Sequence, residues 1–221
     1  MFFSKTDPHI AQIEAALAQY AASNSPKTVL IFDFDETLCH LHLPWGEYVA
    51  QVSAYLREID IELFDTLIRQ HDLAQVLNQF VELHGDSVWK KEREMALAFE
   101  SDKLEKAPLN SPVLNWIAAN QKTYDFAIWS SNCVPTITNA LGSHSILFKS
   151  IIGKDVVTFT KPKPDGFFTI KQELAKQGSL NQDVSNLALS NFLMTGNNLI
   201  DDKGAAEQSG IDFLHLHFFE D

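Results

Sequence analysis

The sequence predicts an α/β protein: a parallel sheet flanked by helices, with a small helical domain inserted after the first strand. Three observations predict it. Apolar strand-like runs alternate with helix-period segments along most of the chain, the interval from about residue 45 to 104 shows helical spacing alone, and acidic or small polar residues follow the strand runs.

Residues 8–22 carry Ile10, Ile13, Ala16, Leu17 and Tyr20 at helical spacing, and the stretch 23–26 punctuates them. Residues 28–34 form a continuous β-branched and aromatic run of the kind buried on both faces of a parallel sheet. Three helices are then read from Val49, Val52 and Leu56, from Leu63, Leu67 and Ile68, and from Leu73, Val76, Leu77, Phe80 and Val81. Alternation resumes with a helix at 113–120, a strand at 124–129 and a short apolar stretch at Ile151 and Ile152. A helix at 165–176, a strand at 192–195, a helix at 200–209 and a strand at 213–217 complete a Rossmann-like pattern. The division expected is a core of residues 1–41 and 107–221 with an inserted helical domain at 42–106.

The chain has 221 residues, 45% of them hydrophobic, and no run of about 18 apolar residues. Its N-terminus lacks the basic start and apolar stretch of a secretory signal, so a cytoplasmic location without a membrane span is expected. A formal charge of −12 disfavours nucleic acid and anionic membranes, which require clustered Lys and Arg. Cys39 and Cys133 are too few for a disulfide framework and are expected as free thiols. Oligomeric state is not written in these features.

Open α/β sheets bind ligands beyond the carboxyl ends of their strands. The residues at those ends are Asp33 and Asp35, then Ser130 to Asn132, then Lys161 in a Lys-Pro-Lys-Pro loop, then Gly196 to Asp202. Acids, a hydroxyl and a lysine suit phosphoryl transfer through a carboxylate. One carboxylate attacks phosphorus, a second carboxyl group protonates the leaving oxygen and then activates water, and a divalent cation offsets the crowded negative charge.

The run Asp33-Phe34-Asp35-Glu36-Thr37-Leu38 after an apolar strand resembles the first motif of the haloacid dehalogenase-like hydrolase superfamily. Ser130 resembles its second motif, Lys161 in Lys161-Pro162-Lys163-Pro164-Asp165 its third, and Gly196 to Asp201 its fourth, in the same order and over about residues 28–218. The second aspartate of the first motif points to the phosphatase branch and away from dehalogenation. The resemblance implies Asp33 as nucleophile, Asp35 as acid and base, Ser130 as donor to a phosphoryl oxygen, and Lys161 as the cation that offsets charge on nucleophile and phosphate. Lys161 is preferred to Lys163 because the family's lysine precedes the first proline, and Ser130 is preferred to Ser131. Thr37, Ser131 and Asn132 are expected at the substrate, and Mg2+ at Asp33, Asp35, Asn197 and Asp201.

One position departs from the family's pattern. An aspartate is expected directly after the glycine of the fourth motif, where this chain has Asn197. A missing charge near 4 Å removes up to about 4 kcal/mol of gross Coulomb attraction at an effective dielectric of about 20, so weaker metal binding is expected. Asp201, at the motif's second acidic position, or Asp202 is available to supply that charge.

The insertion lies where the family places its helical first-type cap, which favours a small phosphorylated metabolite as substrate. The alternatives are a phosphoprotein substrate, transfer to a sugar as in phosphomutases, and a weakly active or non-catalytic module that binds phosphorylated ligands. Cys39, His40 and His42 lack metal-ligand spacing and read as an ordinary loop. His215 and His217 read as the polar face of a strand.

Overall fold

The computed structural model describes residues 7–23, 25–103, 107–177 and 188–216. Helix α1 (Pro8–Ala22) begins where Asp7 accepts hydrogen bonds from the His9 and Ile10 amides, with Pro8 at the first helical position. It leads into β1 (Val29–Phe32), a strand buried along its whole length. Four helices follow: α2 (Trp45–Ile59), α3 (Ile61–Leu67), α4 (Leu73–His84) and α5 (Asp86–Lys103). Then come α6 (Ser111–Ala119), β2 (Asp125–Trp129), α7 (Val134–Leu141), β3 (Ser150–Ile152), α8 (Asp165–Gln177), β4 (Phe192–Gly196), α9 (Asp201–Ser209) and β5 (Asp212–His215).

The strands form one parallel sheet in the order β3-β2-β1-β4-β5. Chain order runs outward from β1 in both directions, so β1 flanks the switch point at which open sheets hold ligands. Register aligns the strand ends: Phe32 pairs with Ile128 on one side and Thr195 on the other. Both faces are covered. Leu30, Phe32, Phe126, Ile128 and Leu193 join a core with α1, α6 and the inserted helices, while Val29, Ile31, Ala127, Trp129, Phe192 and Met194 pack on α8 and α9. This two-sided burial is why the strands read as unbroken apolar runs.

Several boundaries differ from the sequence reading. The first strand stops at Phe32 because the Phe34 carbonyl turns back to accept from the amides of Thr37, Leu38 and Cys39. Glu36 adopts a positive φ of 61° within this turn. Helix α5 was not expected, because its buried side chains include Glu92, Arg93 and Glu100, which hide the apolar period. Helix α7 was also not expected; its sequence is rich in β-branched residues. The last strand spans Asp212–His215, and His217 lies outside the described residues. The inserted helices are not a separate island. Leu43, Val52, Leu56, Phe64, Val76 and Phe80 belong to the same apolar cluster as Phe32 and Phe126.

Candidate active site

A cavity of about 510 Å³ opens above the carboxyl ends of the strands. Of the residues singled out by sequence, Asp33, Asp35, Ser130, Ser131, Asn132, Lys161, Asn197 and Asp201 all line it. Thr37 does not. Its side chain is buried, its hydroxyl makes no hydrogen bond among the described residues, and its carbonyl accepts from Asn110 Nδ2 at 3.3 Å. The first-motif turn directs Thr37 inward, which corrects its expected place at the substrate.

Asp33 follows β1, and its amide donates to the Thr195 carbonyl at 2.8 Å, which fixes it beside β4. Its Oδ1 lies 2.7 Å from Lys161 Nζ. The second partner of Lys161 is Asp202, through Oδ1, and all three side chains are almost fully buried. Burial alone would lower the Lys161 pKa, but Asp202 and Asp33 overcome it and raise that pKa. Burial and the Asp202 charge push Asp33 up to about 7 against the pull of Lys161, because one ammonium is shared between two carboxylates. Lys163 turns away and reaches Glu82 at 2.6 Å on the surface.

Asp202, rather than Asp201, is thus the acid that meets the lysine. Its Oδ2 also accepts from the Asn198 amide at 2.9 Å. Gly196 permits this fold-back, since a Cβ there would lie 2.3 Å from Asp202 Oδ2. Asp201 faces the cavity instead. Its Oδ2 accepts from Asn198 Nδ2 at 3.1 Å, while its buried Oδ1 has no hydrogen bond among the described residues. Burial and nearby Asp72 push its pKa up to about 6.

Asp35 accepts from the Leu41 amide at 2.7 Å, and Trp45 on α2 lines the cavity beside it. Burial nevertheless raises it to about 6, which suits a group that must hold a proton and then give it up. The Ser130 hydroxyl is occupied by its neighbour: it donates to Asn132 Oδ1 at 2.9 Å and accepts from the Asn132 amide at 3.1 Å. Asn197 lines the cavity with its carbonyl accepting from His215 Nε2 at 2.9 Å.

Other residues that serve the site were not visible as such in the sequence. Trp45, Val49 and Val52 from α2 and Leu73, Ala74 and Leu77 from α4 provide an apolar roof. Asn78 on α4 captures both main-chain groups of Thr160, donating to its carbonyl and accepting from its amide, each at 3.0 Å. Arg93 and Trp89 on α5 donate to the carbonyls of Lys154 and Val157. The segment 154–160 that leads to Lys161 is therefore held by side chains of the inserted helices. Asn78, set among Val76, Leu77, Phe80 and Val81 on the buried face of α4, was the available signal.

The oxygen-rich donor set suits a hard cation. Among the described residues, no group of three or more His, Cys, Asp or Glu is arranged to hold a metal. Magnesium commonly draws on one or two carboxylates and completes its shell with water and substrate phosphate. The unpaired Asp201 Oδ1 and the Asp33 carboxylate, with amide and main-chain oxygens nearby, meet that requirement.

A family model for haloacid dehalogenase-like hydrolases matches residues 30–216. No curated protein sequence gives a match. Among solved structures, CbbY from Rhodobacter sphaeroides in complex with phosphate superposes with a TM-score of 0.52 at 15% identity, over 87% of each chain. A HAD phosphatase from Thermococcus onnurineus gives 0.50 at 19% identity, over 88% of each chain. At these identities the structural likeness bears on the fold. Among the described residues, no helix is long and apolar enough to cross a membrane.

Proposed function

Because the chain belongs to the haloacid dehalogenase-like hydrolases, we propose that it is a magnesium-dependent phosphomonoesterase that works through an aspartyl phosphate on Asp33. The observation that carries this reading is the buried Asp33–Lys161–Asp202 group beside Asp35 in one cavity. Attack requires the ionised form of Asp33, which Lys161 favours against burial and which a bound divalent cation would favour further, while burial of Asp35 favours the protonated form that a general acid requires.

Asp33 attacks phosphorus in line, and the bond from phosphorus to the leaving oxygen breaks. Asp35 transfers its proton to that oxygen. Lys161 answers the charge on Asp33 and on the phosphoryl oxygens, while Asp202 holds the ammonium in place. Ser130 supplies a hydroxyl once its bond to Asn132 is exchanged for one to the phosphoryl group. Asp35, now ionised, takes a proton from water, which attacks phosphorus and frees the Asp33 carboxylate and inorganic phosphate. Magnesium, held by Asp33, Asn197, Asp201 and the Asp35 carbonyl, would neutralise phosphoryl charge. Residues 42–106 act as the cap in this account, and the apolar roof limits water and favours a small phosphorylated metabolite over a phosphoprotein.

Asn197 favours a second reading, a module that binds phosphorylated ligands with little turnover. The two separate in a magnesium titration with a generic phosphomonoester and the Asp33→Asn variant. Turnover that rises with magnesium and falls by at least about a thousandfold in the variant supports the enzyme. Turnover unaffected by Asp33→Asn removes the nucleophile assignment, and silence of the wild type at high magnesium leaves the binding module.

A further inference from the structure

We infer that the site takes phosphate monoesters whose leaving group is uncharged and largely apolar, with one hydroxyl or carbonyl oxygen set to meet Lys154. This rests on the phosphatase reading and extends it to the part of the substrate that departs. Beyond the phosphoryl machinery the cavity offers two kinds of surface. One is the apolar roof from α2 and α4. The other is a polar end made by Tyr48, Glu92 and Lys154.

The two cations of the polar end, Lys154 and Arg93, are answered by Glu92 and by Glu100 and Asp155 near them. Lys154 Nζ lies 3.2 Å from Glu92 Oε1 and 2.9 Å from the Tyr48 hydroxyl, and it sits 4.5 Å from the centroid of the Tyr48 ring. The Tyr48 hydroxyl donates to the same Glu92 oxygen, and Arg93 holds the other one. Glu92 is 1% exposed, so it cannot be displaced into water. An anionic group on the leaving fragment would have to compete with Glu92 for Lys154. It would do so in a cavity lined by six acidic side chains and two lysines, while the substrate's own phosphate adds negative charge. A carboxylate or second phosphate at that end is therefore selected against.

A cationic fragment fares little better there. Glu92 is already shared by Lys154 and Arg93, and the Tyr48 ring carries Lys154. An ammonium at that end would lie beside Lys154 and Arg93, whose like charges oppose it more closely than the acids across the cavity attract it, and it would lose water against the apolar roof. A neutral oxygen is what remains. Among the described residues, two of the three ammonium protons of Lys154 go to Tyr48 and Glu92, which leaves one for it.

The test compares kcat/KM, with magnesium present, for three butyl phosphates that differ only at the far carbon: hydroxyl, carboxylate and ammonium. The hydroxyl ester is expected to lead both by about tenfold or more. Glu92→Gln is expected to narrow the gap to the carboxylate ester by raising kcat/KM for that ester, because Lys154 then lacks its anion. If that variant fails to fold, the wild-type ranking decides. A carboxylate or ammonium ester equal to or better than the hydroxyl ester overturns the inference and leaves the Asp33-dependent hydrolase standing. No turnover of any ester by the wild type overturns the phosphatase reading and the inference with it.

Discussion

At the scale of single residues, the site depends on one ammonium placed between two buried carboxylates. Burial, and the charge of Asp202, with which Asp33 shares Lys161, raise the Asp33 pKa to about 7 despite its ion pair. Among the described residues, Asp35 has no such ammonium partner. Burial raises it from the ordinary carboxylate value to about 6, so its protonated form dominates below that pH and is lost above it. A general acid must be protonated when the leaving oxygen departs. For alkyl phosphates, whose alkoxide requires that proton, kcat/KM is expected to rise with pH as Asp33 ionises and then to show a falling limb as Asp35 loses its proton, with the optimum between about 6 and about 7. For an aryl ester with a low leaving-group pKa this limb should flatten. A pH profile of the two ester types checks this, and equal limbs would remove Asp35 from the role of proton donor. Asp33, Asp35, Ser130 and Lys161 were legible because strand ends and motif spacing place them. Asp202 was not. It neighbours Asp201 in the first turn of α9, and adjacent helical residues point about 100° apart, so only the packing against Gly196 shows which one reaches the lysine.

At the scale of elements, the inserted helices serve the site by holding the segment that carries Lys161. Asn78 replaces a strand partner for Thr160, satisfying an amide and a carbonyl that are buried together. Asn78→Ala leaves both main-chain groups unpaired. A loss of about 2 to 4 kcal/mol in unfolding free energy is expected, at about 1 to 2 for each group. Because the segment ends at the lysine, kcat should fall by more than KM rises. Denaturant melts and steady-state kinetics of the one variant measure both, and an unchanged kcat would show that the Thr160 clamp does not position Lys161. Helix α4 was readable from its apolar stripe, whereas α5 was not, since Glu92, Arg93 and Glu100 occupy its buried face. A buried ionic group looks like a solvent face in sequence, because pattern reading assigns charge to water.

At the scale of the whole molecule, the alternation of apolar runs and helices made the parallel sheet legible, and the strand order β3-β2-β1-β4-β5, with β1 in the middle, places the first motif centrally. The sequence could show that residues 42–106 interrupt the alternation. It could not show that the inserted helices share one apolar cluster with the sheet, because contact between distant segments leaves no local period. That shared cluster includes Val52 of α2 and Leu77 of α4, which line the cavity together with Asp33.

The central claim is that Asp33 carries phosphate during turnover. Its most direct test is to quench the protein during hydrolysis of a phosphomonoester with magnesium, reduce any acyl phosphate with borohydride, and map the reduced residue by peptide mass spectrometry. Reduction of the side chain at position 33, absent when substrate is withheld, is the result expected. Sustained turnover with position 33 unmodified and the label elsewhere, or with no label at all, would contradict it.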